Sequence, residues 1–462
     1  MLLNVFYLYR LDIPDEYHDD GDLNGDWRGH RWWYNLAQVC RWWRYLIFAS
    51  PLQLDLHLLC TNGVPIANML AHSPPLPLTI RYHEGGRETT EEDDEGILLA
   101  LRHSDRLHYI SLYLPSPKLR KFITIMDEEF PILERMYIWS RTEGDRSLVL
   151  PRTFQAPHLR HFASSIALPI GSPLLTTTVG LVSLMLTEIP PSAYFSPNYL
   201  LTRLSLMPQL ETLLIRFYSP LPNRDVERQS LNTPIMTHIT LPNLRVLIFT
   251  GVSAYLEGLL NRIRAPLLAL LDIQFFNQLT FTVPRLLQFI DTLETLSFGR
   301  VQLAFGSHSA EFKTFQLGER GGHSFIMEIK CRHLDWQVSS VVQILTALQP
   351  VLSAVEQLTL SHVEHSQSPE WHNEIDPTQW RGILRPFSNL TTLHVQNSLA
   401  SRLSRSLQVD DGEPPVELLP NLKELGYSGD DARDAFIPFI DERQVAGHPV
   451  NLTKVSPRVF RG

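Results

Sequence analysis

Apolar residues recur along this chain in one short phrase: an apolar residue, two variable positions, a second apolar residue, one variable position and a third apolar residue. The last two apolar positions are two residues apart, so they share one face of a β-strand, and the first turns inward just before the strand. In the copy that begins at Leu159, Ser164 interrupts the pattern. The first apolar positions of the copies are Leu107, Leu133, Leu159, Leu181, Leu210, Leu244, Leu268, Leu293, Val355, Leu390 and Leu422.

The copies are separated by 22 to 35 residues, apart from a gap of 62 residues between Leu293 and Val355 that a degenerate copy at 324–331 would divide. This spacing is typical of the longer leucine-rich repeats, whose unit is a strand followed by a helix. A single strand of this kind cannot bury its apolar face, but stacked copies form one sheet with a continuous core. We therefore predict an α/β fold, a leucine-rich-repeat solenoid in which an arc of parallel strands carries helices on its convex side.

Helical spacing of apolar residues predicts helices between the strands, at 253–263, 283–293 and 338–352. The array extends toward the N-terminus, where 77–83 indicates a strand and 64–73 and 91–104 indicate helices. The acidic run Glu91–Glu95 follows Thr89 and Thr90, both good N-cap residues. We interpret this run as a first helical turn, where the helix dipole favours negative charge, and keep partner binding as the alternative.

The N-terminal region contains a tryptophan-rich segment, LAQVCRWWRYLIF at 36–48, which helical spacing predicts to be one helix ended by Ser50-Pro51. Residues 2–12, LLNVFYLYRLD, predict a second, shorter apolar helix. The exposed end of a repeat array needs a cap, and the tryptophans could supply it. Two interpretations stay open: a cap alone, or a cap that also binds a partner.

These two segments resemble the F-box motif, and more narrowly the fungal F-box proteins with leucine-rich repeats. That family usually reads V-C-R-R-W-R; here VCRWWR at 39–44 matches, with Trp42 where arginine is usual. Similar stretches include APHLRHFASSIALPIGSPLL, HLDWQVSS and VELLPNLKELGYSG, so the resemblance covers nearly the whole chain. The Leu-Pro pair that normally opens the family's motif is absent, which predicts an N-terminally truncated F-box.

The resemblance implies a helical F-box-like segment over 1–52 and a solenoid over 53–462. It further implies a non-catalytic substrate receptor of an SCF-type ubiquitin ligase, whose N-terminal helices bind a Skp-type adaptor and its cullin while the repeats capture an unknown protein target. The alternative, favoured by the missing Leu-Pro pair, is a free-standing leucine-rich-repeat binding protein without a ligase. The candidate adaptor-binding residues are Leu2, Leu3, Leu36, Val39, Cys40, Trp43 and Leu46.

A candidate target-binding site lies on the variable positions of the strands, because the concave sheet face is the usual binding surface of a solenoid. In the copies that begin at Leu107 and Leu133, these positions are rich in tyrosine, tryptophan and arginine, the residues that dominate interface hot spots. The alternative is that loops or the N-terminal helices cover these side chains, or that they pack on one another. The candidate residues are Tyr109, Tyr113, Arg135, Tyr137 and Trp139.

Composition argues against several classes of function. The formal net charge is −9 and the basic residues are scattered, so the basic stripe of a nucleic-acid-binding protein is missing. No run of roughly 18 apolar residues predicts a membrane span. The 3 cysteines form no CxxC pair and fit a reducing compartment, the cytoplasm or the nucleus.

Motifs for chemistry are missing as well. The histidines at 362–372 lack the spacing of a zinc site, the glycines of ERGGHS at 319–324 are not followed by the Lys-Ser/Thr of a phosphate loop, and no GxSxG occurs. We interpret Cys40 as a core residue of its helix rather than a nucleophile. The sequence therefore predicts no enzymatic activity, no metal and no cofactor.

Overall fold

A computed structural model describes most of the chain, in two compact units. The first unit contains Met1–Tyr194 and Leu206–Leu210, and the second contains Phe195–Ser205 and Glu211–Gly462. The predicted helix at 2–12, with the candidate residues Leu2 and Leu3, lies outside the described residues. The described residues are 32–49, 54, 56–83, 88–142, 147–169, 171–220, 238–293, 296, 298–315, 323–363, 376–408, 418–428 and 432–456.

The first unit alternates short helices with strands. Its elements are α1 (Trp32–Val39), α2 (Arg41–Ala49), β1 (Leu58–Cys60), α3 (Ile66–His72), β2 (Leu78–His83), α4 (Glu91–Leu101), a 3-10 turn (Ser104–Arg106), β3 (Leu107–Leu114), α5 (Ser116–Ile123), β4 (Arg135–Ser140), β5 (His161–Ser164), α6 (Leu174–Thr177), β6 (Ser183–Ile189) and a 3-10 turn (Pro191–Ala193).

Strands β1 to β6 pair in sequence order, and every pair is parallel. The registers align one apolar residue from each strand in a row across the sheet, and these residues are buried. Helix α4 packs against β1 and β2, and α5 packs against β3. The connection from β4 to β5 contains no helix among its described residues, unlike the helical connections that we predicted elsewhere. The buried row is Cys60, Ile80, Ile110, Met136, Phe162 and Leu184.

The second unit contains longer helices. Its elements are α7 (Pro197–Leu204), β7 (Thr212–Phe217), β8 (Ile239–Thr240), β9 (Val246–Gly251), α8 (Ser253–Leu260), β10 (Ile263–Arg264), β11 (Leu270–Phe275), α9 (Pro284–Asp291), β12 (Arg300–Gly306), β13 (Ser309–Phe315), β14 (His323–Lys330), α10 (Leu334–Ala347), α11 (Gln349–Leu352), β15 (Gln357–Val363), α12 (Pro377–Leu384), β16 (Thr392–Val395), α13 (Asn397–Leu407), β17 (Glu424–Tyr427), α14 (Ala432–Val445) and β18 (Asn451–Lys454).

The prediction of parallel strands throughout is wrong at one place in the second unit. The strand order there is β7-β9-β11-β14-β13-β12-β15-β16-β17-β18, and β13 runs antiparallel to both β12 and β14. Only Ser307 and His308 separate β12 from β13, too few residues for the crossover that a parallel pair requires. The predicted strand at Leu296–Phe298 is also misplaced, because β12 begins at Arg300. The other strand pairs among the described residues of this unit are parallel, so the unit is a mixed α/β structure with a mostly parallel sheet.

The apolar phrase predicted the core correctly. All its positions are buried except Leu296, which is half-buried. Ser164, which breaks the pattern, is buried too, and its Oγ accepts a hydrogen bond from the Ile166 N–H at 2.9 Å. Because each fully buried leucine or isoleucine contributes ~1.5–3 kcal/mol, these rows of side chains supply much of the packing energy within each unit.

The predicted helices at 64–73, 91–104, 253–263, 283–293 and 338–352 correspond to α3, α4, α8, α9 and the α10–α11 pair. The N-cap interpretation of the acidic run is confirmed. Helix α4 begins at Glu91, and Thr90 and Asp93 form a reciprocal capping box. No helix among the described residues has the length and apolar character needed to cross a bilayer.

Candidate functional site

The five candidate target-binding residues lie together on β3 and β4. In the parallel register, Tyr109 is the partner of Arg135 and Tyr113 is the partner of Trp139, while Tyr137 lies opposite Ser111. Residues two apart on a strand share a face, so all five side chains project from the sheet face opposite the buried Ile110–Met136 row. We call Tyr109, Tyr113, Arg135, Tyr137 and Trp139 the aromatic face. Arg135 is exposed and the other four are half-buried.

The tyrosines of the aromatic face contact neighbouring rings. The ring centroids of Tyr109 and Tyr137 are 5.7 Å apart with planes inclined at 48°, a favourable tilted geometry. Tyr113 packs beside His83, with 6.4 Å between ring centroids. The side chains therefore pack partly on one another, as the alternative interpretation predicted, and still keep part of their surface accessible.

A serine–histidine pair, which sequence reasoning missed, borders the aromatic face. The Ser111 Oγ lies 3.0 Å from the Nε2 of His83, on the neighbouring strand β2. Burial lowers the pKa of His83, and the nearby Arg81 cation lowers it further, so the imidazole is neutral at pH 7. Ser111 is only 3% exposed, which keeps its hydroxyl away from a substrate carbonyl. The hydrogen bond instead fixes the His83 ring beside Tyr113; strand register brings the two residues together, and sequence spacing gives no signal for it.

The N-terminal helices α1 and α2 form a small helical pair with its own core. Trp33 is buried and meets Phe48 edge-to-face, with 5.6 Å between ring centroids. Ile47 is buried as well, and the Arg44 Nε–H donates to the Ala37 carbonyl oxygen at 3.0 Å, which links the two helices. The Trp33–Phe48 contact and this hydrogen bond therefore hold the two short helices together.

The prediction of one continuous helix over 36–48 is wrong. Helix α1 ends at Val39 and α2 begins at Arg41. Cys40 lies between them, and its Sγ accepts a hydrogen bond from the Trp43 N–H at 3.4 Å, in the manner of an N-cap side chain. Cys40 is exposed, so its assignment to the core is wrong too.

The candidate adaptor-binding residues within the helical pair differ in exposure. Val39 and Cys40 are exposed, whereas Leu36, Trp43 and Leu46 are half-buried. Two exposed aromatic residues lie next to them: Trp42, which we interpreted with the other tryptophans as part of a buried cap, is 58% exposed, and Tyr45, which we did not single out, is 69% exposed. Val39 is 60% exposed. We call Val39, Trp42 and Tyr45 the helix-pair patch. Their spacing of three residues was the sequence signal that could have identified them.

The corresponding sheet face of the second unit carries charges of both signs. Asp272 lies on β11 between Ile248 and Ile326 of the adjacent strands. Burial raises the pKa of the Asp272 carboxyl, and the Arg216 cation opposes that rise. Nearby, Lys313 and Glu311 form an ion pair at 2.9 Å. These charges of opposite sign partly compensate one another.

No group of three histidine, cysteine or acidic side chains could hold a metal ion within the part of the chain that the structure describes. The loop with His365, His372 and Glu374 lies outside that part. Cys60 is buried, and burial raises the pKa of its thiol to about 12, so it stays protonated at neutral pH. Neither the known protein families nor the curated proteins include a match to this chain.

Proposed function

We propose that this protein is a non-catalytic substrate receptor of an SCF-type ubiquitin ligase, located in the cytoplasm or nucleus. In this proposal residues 1–52 form an F-box-like segment that binds a Skp-type adaptor and, through it, a cullin. Residues 53–462 form a leucine-rich-repeat solenoid that captures a protein target. The receptor performs no bond chemistry; it raises the effective concentration of the target near the ubiquitin-charged enzyme.

The helix-pair patch carries the adaptor-binding part of the proposal. Val39, Trp42 and Tyr45 are each more than half exposed, although the same short segment buries Trp33 and Ile47. A helical pair that served only as a cap would bury its large apolar side chains. Three exposed apolar side chains at regular spacing are instead typical of a surface that binds a partner helix. The half-buried Leu36, Trp43 and Leu46 border this surface.

The aromatic face supports the target-binding part. It concentrates three tyrosines, one tryptophan and one arginine on two adjacent strands, a composition typical of interface hot spots. The side chains are held by a regular parallel register and by ring contacts, so little conformational entropy is lost when a partner binds.

Reconstitution with a purified Skp-type adaptor tests the first part. We expect the full chain to form a complex in size-exclusion chromatography, and the double substitution Trp42→Ala with Tyr45→Ala to weaken it at least about tenfold, equivalent to ~1.4 kcal/mol. Arg41→Ala, at an exposed polar position of the same helix, is the matched control and should leave the complex intact. If the unmodified chain forms no complex with the adaptor or its cullin, the free-standing binding protein is the correct alternative.

Capture from cell extract tests the second part. Replacement of Tyr109, Tyr113, Tyr137 and Trp139 by alanine or serine should abolish capture of the cellular target while the adaptor complex survives. Trp336 and Tyr218 are exposed aromatic residues of the second unit, and alanine at both positions is the matched control. Unchanged capture by the quadruple variant would remove the aromatic face from the proposal.

A further inference from the structure

The aromatic face and the strand positions in register with it contain cations and no carboxylates. One row across the sheet consists of Thr79, Tyr109, Arg135, His161 and Ser183, and the next of Arg81, Ser111, Tyr137, Ala163 and Met185. The third row, described over β2–β4, is His83, Tyr113 and Trp139. These rows therefore contain Arg81 and Arg135 and no aspartate or glutamate, although the net charge of the chain is −9.

Hydrogen-bond donors on the aromatic face exceed its acceptors. An arginine guanidinium and a tryptophan indole can only donate, and a tyrosine hydroxyl donates one hydrogen bond. Among the described residues, the side chains of Tyr109, Tyr113, Arg135 and Trp139 donate none. The residue before Arg135 in the sequence is Glu134, which precedes β4. Its carboxylate lies 3.4 Å from the Nε2 of His108.

We infer that the aromatic face binds an extended segment of the target protein in which acidic residues alternate with apolar ones. The inference rests on the proposed function, because it names the chemistry of the target. The carboxylates accept hydrogen bonds from Arg135 and from the tyrosine and tryptophan donors, and the apolar side chains cover the rings. Hydrogen bonds between an arginine and a carboxylate are stronger than neutral ones, so Arg135 contributes most to the preference for acidic residues.

Fluorescence anisotropy with the full-length protein tests this inference. The probe is a short labelled peptide in which Glu alternates with Ala, compared with peptides of equal length in which Gln or Lys replaces every Glu. We expect the Glu peptide to bind about tenfold more tightly than the Gln peptide, the Lys peptide to bind most weakly, and the preference for Glu to shrink as salt is added. Equal binding of the Glu and Gln peptides, or a preference for Lys, would overturn the inference.

Arg135→Gln keeps the size and polarity of the side chain and removes its charge. We expect it to lower the affinity for the Glu peptide about fivefold and to leave the affinity for the Gln peptide unchanged. Arg102→Gln, at an exposed position at the end of α4, makes the same change of net charge and should leave both affinities unchanged. If Arg102→Gln weakens the Glu peptide as much as Arg135→Gln does, the preference reflects overall charge and the inference is wrong. Thermal unfolding of both variants is measured alongside, to check that they are folded.

The inference and the proposed function fail in different ways. If the quadruple aromatic variant loses the cellular target but the unmodified protein does not discriminate between the Glu and Gln peptides, the acidic segment is wrong and the target site stands. If the quadruple variant keeps both the cellular target and the preference for the Glu peptide, then neither the target nor the acidic peptide binds at the aromatic face.

Discussion

Ile66 packs directly on Gly96. A Cβ atom at Gly96 would lie 2.7 Å from the Ile66 Cγ1 and 3.3 Å from the Ile66 Cβ, closer than van der Waals contact allows. Ile66 is the first residue of α3 and Gly96 lies within α4, so the missing side chain is what lets these two helices approach. A glycine inside a helix costs about 1 kcal/mol of helix propensity relative to alanine, and here packing outweighs that cost.

We therefore predict that Gly96→Ala destabilises the protein by roughly 1–3 kcal/mol, although alanine is the better helix former. Urea unfolding measures the change. In an Ile66→Ala background the 2.7 Å contact with Cγ1 is removed and the closest remaining contact is the 3.3 Å one with Cβ, so the penalty should shrink. Gly180→Ala is the matched control, because a Cβ at Gly180 would meet nothing within 4 Å. Equal penalties with and without Ile66 would show that the contact does not matter.

Asp93 links the start of α4 to the turn before α3. We therefore expect removal of its side chain to lower the free energy of unfolding more than removal of an ordinary helix cap does. Asp93 is buried and its carboxylate accepts hydrogen bonds from the Gly63 N–H at 2.6 Å and from the Thr90 N–H at 2.9 Å. Hydrogen bonds to a charged group contribute about 1.5–3 kcal/mol each, and a helix cap about 0.5–2 kcal/mol. Asp93→Ala should lower the free energy of unfolding by ~2–4 kcal/mol, whereas Glu92→Ala, an exposed acidic residue of the same turn, should change it by less than ~1 kcal/mol. Similar effects of the two substitutions would contradict this account.

The parts of the fold that follow from a two-residue period could be predicted from the sequence. Strands β3 and β4 pair in parallel without a register shift. The variable positions that we grouped by counting along each strand are therefore also neighbours in space. The same reasoning located the buried positions, since alternate side chains must enter the core. The contact between Tyr109 and Tyr137 follows from the register once that register is known.

The missed features depend on local geometry that the apolar phrase does not encode. Strand β12 carries the phrase at Phe298, Val301 and Leu303, five residues later than the copy that we counted from Leu293. Strands β13 and β14 alternate as well, with Phe312 and Met327 buried, but they lack the first apolar position of the phrase. The antiparallel pairing of β12 with β13 is determined by the short link at Ser307 and His308. The break at Cys40 was missed because helical spacing continues across it, and only the sulfur contact with Trp43 reveals the cap.

His394 should make stability depend on pH. Its ring lies over Gly426, where an added Cβ would collide with it, and the side chain is 8% exposed. Burial lowers the pKa of His394, Glu424 raises it and Arg300 lowers it. As the pH falls, the imidazole therefore takes up its proton at a higher pH in the unfolded chain than in the folded one. The stability that the neutral ring contributes is fully present above the unfolded pKa of ~6.5 and is lost as the pH falls below it.

The measurement is the free energy of unfolding between about pH 7.5 and about pH 5.5, compared for the unmodified protein and His394→Gln. Glutamine does not titrate, so the variant should lose less stability on acidification even if it is less stable at neutral pH. His72→Gln, at an exposed position of α3, is the control and should retain the original pH dependence. Parallel pH profiles for the unmodified protein and His394→Gln would exclude His394 as the source.

Arg381 stabilises the C-terminal end of α13 from the neighbouring helix α12. Its side chain is buried, its Nε–H donates to the Ser406 carbonyl oxygen at 2.7 Å, and its guanidinium also donates to the carbonyl oxygen of Gln408. The last carbonyls of a helix lack partners within the helix, and a cation there complements the helix dipole. Arg381→Met would keep the apolar stem and leave the buried Ser406 carbonyl unpaired, at a cost of about 1–3 kcal/mol, whereas the carbonyl of the exposed Gln408 can turn to water.

We expect Arg381→Lys to recover little of this loss, because an ammonium group on a flexible stem cannot reproduce the planar fork that reaches both carbonyls. Arg405→Met is the matched control: Arg405 is exposed on α13 itself, and its loss should change the free energy of unfolding by less than about 0.5 kcal/mol. Hydrogen exchange resolves the effect locally, since faster exchange should be confined to the last turn of α13 in Arg381→Lys. A fully stable Arg381→Lys variant would show that charge alone, without the bidentate geometry, holds this end of the helix.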